Sequence, residues 1–238
     1  LKLLEAQWQI DDSFILDSLN KKIFSTANVP YKIKNDDEIL KDPKNTIDFD
    51  HALHQKIMKG VKKMGTDARL VLDQGQVVHV SMAEKLLVLQ LSKLSNFIPD
   101  GGIWLNTQRP EWNDANNALV GYGVSMVTLY YLNRHISFIN KVLADVNETE
   151  FEISNEVFAW FKDAKKTYEK YSITINEKLD AVKRKTFVRE LQKLFSNYRQ
   201  KTYNKSSSGE NKIKVIDIIN FNNLVLTYFE NSINNNFK

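Results

Sequence analysis

Residues 113–132 read Asn-Asp-Ala-Asn-Asn-Ala-Leu-Val-Gly-Tyr-Gly-Val-Ser-Met-Val-Thr-Leu-Tyr-Tyr-Leu. After Asp114 no charged side chain interrupts them, and Leu119, Val120, Val124, Met126, Val127, Leu129, Tyr130, Tyr131 and Leu132 would cover every direction around a helix. A helix that is apolar on all sides has to be wrapped by protein. The stretch therefore predicts an inner helix from near Asn113 past Leu132. It is not a membrane span: the uncharged run from Ala115 to Asn133 contains Asn116, Asn117, Ser125 and Thr128, and its apolar part is too short to cross a bilayer.

The neighbouring helical patterns are one-faced. Val157, Phe161, Ala164, Tyr168 and Tyr171 recur at three-four spacing with lysines and acids opposite, and Leu179, Val182, Leu191, Leu194 and Tyr198 do the same further on. Ser81 and Glu84 form a capping-box pattern ahead of a helix carrying Ala83, Leu86, Leu87, Leu91, Leu94 and Phe97, which Pro99-Asp100-Gly101-Gly102 ends. Shorter helices are expected over Ser13–Phe24 and Asp48–Met64, the second stopping at Gly65. Ser25–Ile47 reads as irregular, Asn204–Lys212 as a flexible loop, and Ile213–Ile233 as a last helix with Asn234–Asn236 fraying. Any strand is expected within Arg69–Val80, around Gly75.

One wrapped helix beside one-faced ones predicts two layers, an inner set enclosed by an outer set. Six helical hairpins in a toroid have that arrangement, but they need on the order of 250 residues or more. The expected fold class is therefore all-α, toroid-like, and an incomplete ring. Residues 1–238 are read as a single helical domain, one segment of a larger catalytic domain. Leu1 in place of methionine fits a processed chain or a piece of a longer one.

Composition narrows the classes. There are no cysteines, which excludes disulfide frameworks and cysteine zinc sites and permits a reducing compartment. A cytoplasmic location is expected. Four prolines and eight glycines are too few for a fold of many short, turn-linked strands. The net charge of +4 is concentrated in residues 162–205, where thirteen Lys/Arg face five Asp/Glu. Those charges lie along amphipathic helices, so a solvated surface is expected rather than a nucleic-acid interface. Asp48-Phe49-Asp50-His51-Ala52-Leu53-His54 is the sole suggestive metal spacing, and a helix start capped by Asp48 or Asp50 explains it as well. No metal and no cofactor is expected.

Arg109-Pro110-Glu111-Trp112-Asn113-Asp114 differs from the rest of the chain. Glycosidic bond cleavage needs a carboxylic acid to protonate the leaving oxygen, an aromatic face for the sugar ring and amides for its hydroxyls. Glu111 and Asp114, Trp112, and Asn113 supply those groups. The same residues can equally serve as a cap, with Asn113 or Asp114 at a helix start and Trp112 as a hydrophobic staple.

Glu111-Trp112-Asn113-Asp114 together with Asn117 resembles the Gly-Asp-Trp-Asn-Asp-Gly-x-Asn motif of the cellobiose and chitobiose phosphorylases, inverting enzymes built on a six-hairpin α/α toroid. Trp112, Asn113 and Asn117 match directly. Pro110, Glu111 and Ala115 stand where that motif has Gly, Asp and Gly, and Val120-Gly121 is one residue out of step. The resemblance covers about a dozen residues. It implies that Asp114 is the general acid, that Trp112, Asn113 and Asn117 hold a β-linked oligosaccharide, and that inorganic phosphate can be a co-substrate. A hydrolase of this fold needs a second carboxylate about 6.5–9.5 Å away. Glu111, three residues from Asp114, lies too close for that role. The alternatives are a non-catalytic helical glycan-binding domain and a helical protein-interaction domain.

Overall fold

Local sequence signals set most helix boundaries. The structure, a computed structural model, describes residues 1–107, 118–172, 179–204 and 209–236. Among these residues there are nine α-helices: α1 (Lys2–Ile10), α2 (Asp12–Leu19), α3 (Asp36–Lys41), α4 (His51–Met64), α5 (Met82–Leu94), α6 (Met126–Ala144), α7 (Asn155–Ser172), α8 (Ala181–Asn204) and α9 (Val215–Asn236). The chain is thus mainly helical. No described helix is long and apolar enough to cross a membrane.

Asp50 caps α4 by accepting the Leu53 N–H at 2.9 Å, and Gly65 ends that helix at a φ of 72°. Asn35 and Glu38 form a reciprocal capping box on α3, within the stretch expected to be irregular. Helix α1 is an addition to the expected set. Its Leu4 and Trp8 pack on the core, while Leu3 and Ile10 remain exposed.

The most enclosed helix is α5, with only Leu89 and Lys93 exposed along it. Met82, Ala83, Glu84, Leu86, Leu87, Gln90, Leu91 and Leu94 are all buried, and α2, α6, α7, α8 and a strand pack around it. Helix α7 buries the expected Val157, Phe161, Ala164, Tyr168 and Tyr171. It lies against α8, where Phe187 and Leu191 are buried but Val182 is 74 % exposed. Trp160 of α7 stacks between Phe195 and Tyr198 of α8, with ring centroids at 5.0 and 4.3 Å. Helix α9 fills the remaining side with Phe221, Val225, Tyr228 and Phe229.

The expected inner helix from Asn113 to Leu132 is corrected in its described part. The chain turns at Val120–Tyr122, extends through Val124–Ser125, and α6 begins at Met126. Two features stop a continuous helix: Gly121 adopts a φ of 82°, and the Ser125 hydroxyl caps α6 by accepting the Thr128 N–H at 3.0 Å. Helix α6 is one-sided. Leu129, Leu132 and Ile136 are buried, whereas Val127 is 67 % exposed and Tyr130 and Tyr131 48 % each. The wrapping inferred from apolarity is absent on that face.

Strands also lie outside Arg69–Val80. Among the described residues the strands form five antiparallel pairs: β1 (Phe24–Ser25) with β6 (His79–Val80), β2 (Tyr31–Ile33) with β3 (Ile47–Phe49), β4 (Leu72–Asp73) with β5 (Gln76–Val77), β7 (Ile103–Trp104) with β8 (Val124–Ser125), and β9 (Glu150–Ser154) with β10 (Glu210–Lys214). The last is the longest, in register from Glu150↔Lys214 to Ser154↔Glu210. Its cause is period-two patterning: Phe151, Ile153 and Ile213 point inward and are almost fully buried. Strand β10 therefore replaces the end of the expected 204–212 loop, of which 205–208 lie outside the described residues. The last helix does not fray at 234–236 either. Asn235 Nδ2 donates to Asp100 Oδ1 at 2.6 Å, and Asn236 Nδ2 to the Asp100 carbonyl at 3.0 Å.

Candidate functional site

Glu111, Trp112, Asn113, Asp114 and Asn117 lie outside the described residues. What the structure describes is the frame on either side of them. Strands β7 and β8 pair Ile103 with Ser125 and Trp104 with Val124. Beyond them Leu105 N–H donates to the Gly123 carbonyl at 3.0 Å, and Gly121 N–H donates to the Leu105 carbonyl at 2.7 Å. The Trp104 indole N–H adds a bond to the Gly121 carbonyl at 3.1 Å. The chain leaves this stem after Leu105 and rejoins it at Gly121.

The stem depends on close backbone approach. A Cβ at Gly121 would collide with the Pro43 carbonyl, and one at Gly102 would lie 2.8 Å from the Ser125 carbonyl oxygen. Lys44, next to Pro43, donates from Nζ to the Ala118 carbonyl at 2.9 Å and sits 5.5 Å from the Tyr122 ring centre.

Beside the stem Trp104 and Asn106 share a small recess with Asn96, Asp36, Gln192 and Arg199. Its volume of about 10 Å³ suits one water molecule. Arg199 is 6 % exposed and stacks on Phe195, with the guanidinium carbon 4.2 Å from the ring centre. Its Nη2 donates to the Lys34 carbonyl at 3.2 Å, while Nε and the Asn96 side-chain oxygen find no partner among the described residues. Burial lowers the pKa of this guanidinium, against the opposing charges of Tyr203 and Asp36. The recess thus presents three carboxamides, an indole, a carboxylate and an arginine. None of Asn96, Asn106 or Arg199 stood out in the sequence, because single polar residues on otherwise ordinary helices and loops carry no local signature.

The His51–His54 pair lies at the start of α4, the helix that Asp50 caps. Both rings pack on Phe49, at 4.8 and 5.5 Å between centres, and no group of three or more potential ligands exists among the described residues. On the basic helices much of the excess charge is locally paired, as in Lys165–Asp217 at 2.8 Å, Lys170–Glu190 at 2.7 Å and Arg189–Asp37 at 2.9 Å.

The sequence matches no protein-family model and no curated protein.

Proposed function

We propose that this chain is part of an inverting carbohydrate-active enzyme, a glycoside phosphorylase or hydrolase, in which Asp114 is the general acid. Trp112, Asn113 and Asn117 hold a β-linked oligosaccharide, and Glu111 is the alternative candidate for the catalytic acid. The observation that carries the reading is the stem. It fixes both ends of the stretch between Leu105 and Gly121 by main-chain bonds and sets the sugar-type groups Trp104, Asn106 and Asn96 beside it. Precise positioning of an acid and its substrate supplies much of the rate in such chemistry.

In this reading the toroid is completed by further protein. The exposed side of α6 (Val127, Tyr130 and Tyr131) is the surface such a neighbour would cover. The deciding experiment is Asp114→Asn in the complete protein, assayed on a library of β-linked oligosaccharides with and without phosphate. A loss of turnover of roughly 10²–10⁴-fold with sugar binding retained is expected. Wild-type turnover by the variant would overturn the assignment and make Glu111 the next carboxylate to test. Released sugar phosphate distinguishes phosphorolysis from hydrolysis.

Exposed aromatic rings favour a second reading, a non-catalytic glycan-binding domain. Tyr122, 70 % exposed, and the Tyr130–Tyr131 pair offer ring faces of the kind that pack on sugars. Glycan binding without any product release would select it.

A further inference from the structure

A cavity of about 350 Å³ lies away from the stem, between the β1/β4–β6 region and the start of α5. That volume is in the range of small-molecule sites. One wall is aliphatic, made by Ala27, Val71, Val78 and Val80. The lining also carries polar groups from Glu84, Ser154, Tyr198 and Tyr203.

These polar groups have unused bonding capacity. Glu84 is only 8 % exposed, yet its carboxylate accepts bonds from neutral donors alone, the Ser154 N–H at 3.0 Å and hydroxyl at 2.7 Å. It forms no ion pair among the described residues, and each of its oxygens retains a further acceptor site. The Tyr198 hydroxyl makes no hydrogen bond among the described residues. Its ring is fixed by stacking on Trp160, and burial together with the charges of Glu84 and Glu156 raises its pKa, so it stays a neutral phenol. Of the other charged residues at the cavity, Lys32 is paired with Asp50 at 2.8 Å and Glu210 with Lys22 at 2.6 Å, and Glu156 adds a second carboxylate to the lining. Lys201 is at the exposed edge. A buried carboxylate that faces a cavity and lacks a cation is costly unless something supplies the missing charge.

We propose that this cavity binds a small amine with a compact apolar body, the ammonium donating to Glu84 and the body lying on the aliphatic wall. The ligand's remaining N–H can reach the Tyr198 oxygen, and its apolar part replaces water along Val71, Val78 and Val80.

Three probes of equal shape test the proposal on the chain itself: cyclohexylamine, cyclohexanol and cyclohexanecarboxylate, titrated by calorimetry and by backbone amide shifts. The amine should bind most tightly and the carboxylate not at all, with shifts at Ala27, Val78 and Ser154. Glu84→Gln keeps the shape of the side chain and should weaken the amine roughly 10–100-fold, to the level of the alcohol. Ala27→Trp, at an exposed position that leaves the core intact, should block the amine and the alcohol alike. Equal affinity for amine and alcohol in the unmodified chain would overturn the proposal. So would full amine affinity in Ala27→Trp, or the absence of cavity shifts at millimolar amine.

Discussion

The carboxylate of Glu84 holds both the backbone N–H and the hydroxyl of Ser154, joining the first turn of α5 to the end of β9. The capping pattern at Ser81 is therefore half realised. Ser81 accepts the Glu84 N–H at 3.2 Å, but the glutamate turns outward to the strand instead of back to the cap. Glu84→Ala should leave a poorly solvated N–H at Ser154 without its partner. The expected cost is about 2–3 kcal/mol, the range for a hydrogen bond to a charged group. Urea unfolding reads it as a lower midpoint at unchanged slope.

A buried polar relay crosses the core. Gln90 Nε2 donates to Asn222 Oδ1 at 2.6 Å, and Asn222 Nδ2 donates to Asn140 Oδ1 at 2.8 Å. Asn222→Leu fits the volume but strands Gln90, which is 1 % exposed. Destabilisation of about 2 kcal/mol or more is expected. The double variant Asn222→Leu/Gln90→Leu should recover part of it, and an additive loss would show that the two residues act independently.

Gly121→Ala should harm the stem more than its size suggests. The backbone is in the left-handed region, and the added methyl meets the Pro43 carbonyl. A loss of about 1–3 kcal/mol is expected from conformation alone. Hydrogen-exchange protection at Leu105 and Gly121 should fall before that of α5, and unchanged protection there would contradict the stem described above.

His135 gives the acid limb of stability a defined window. Burial lowers its pKa from 6.5 to about 4, and Glu5 opposes this. The folded pKa is below the unfolded one, so its contribution is fully present above pH 6.5. It declines as pH falls toward 4, because the unfolded chain binds the proton first. His135→Gln should flatten the pH dependence of the urea midpoint between pH 6.5 and 4. An equally steep profile in the variant would assign the slope to other groups.

Asp50 acts in the same direction at lower pH. Its pKa is lowered from 3.8, first by the Leu53 N–H and then by Lys32. Its contribution is present above the unfolded pKa and is lost as pH falls through the folded value. Asp50→Asn retains the cap but removes the ionisation, so the acid loss below about pH 4 should lessen. The helical circular-dichroism signal followed between pH 2 and 5 tests this.

The helices of this chain were largely legible because their signals are local. Asp50 and Gly65 bracket α4, and Val157 to Tyr171 keep one spacing throughout α7. The inner and outer roles were not legible. Apolarity in residues 119–132 suggested a wrapped helix, but Gly121 and Ser125 divide the run, and Tyr130 and Tyr131 tolerate exposure because their hydroxyls can face water. Helix α5 became the enclosed one through neighbours far away in the chain, which no local window contains. The β9–β10 pair was hidden for the same reason, since Glu150–Ser154 alternates only briefly and its partner begins at Glu210. Of the candidate site, the sequence supplied the residues, and the structure supplied a stem that no motif announced.

The β9–β10 pair has a consequence for how the chain reaches its native state. It joins Ser154 to Glu210, so everything in α7 and α8 lies inside one long excursion between two adjacent strands. Closing such an excursion is entropically unfavourable until its interior is compact. Docking of Trp160 between Phe195 and Tyr198 shortens the effective span first. The helical pair is then expected early on the folding route and the strands late, with mutations at Trp160 slowing folding and mutations at Ile153 or Ile213 mainly hastening unfolding.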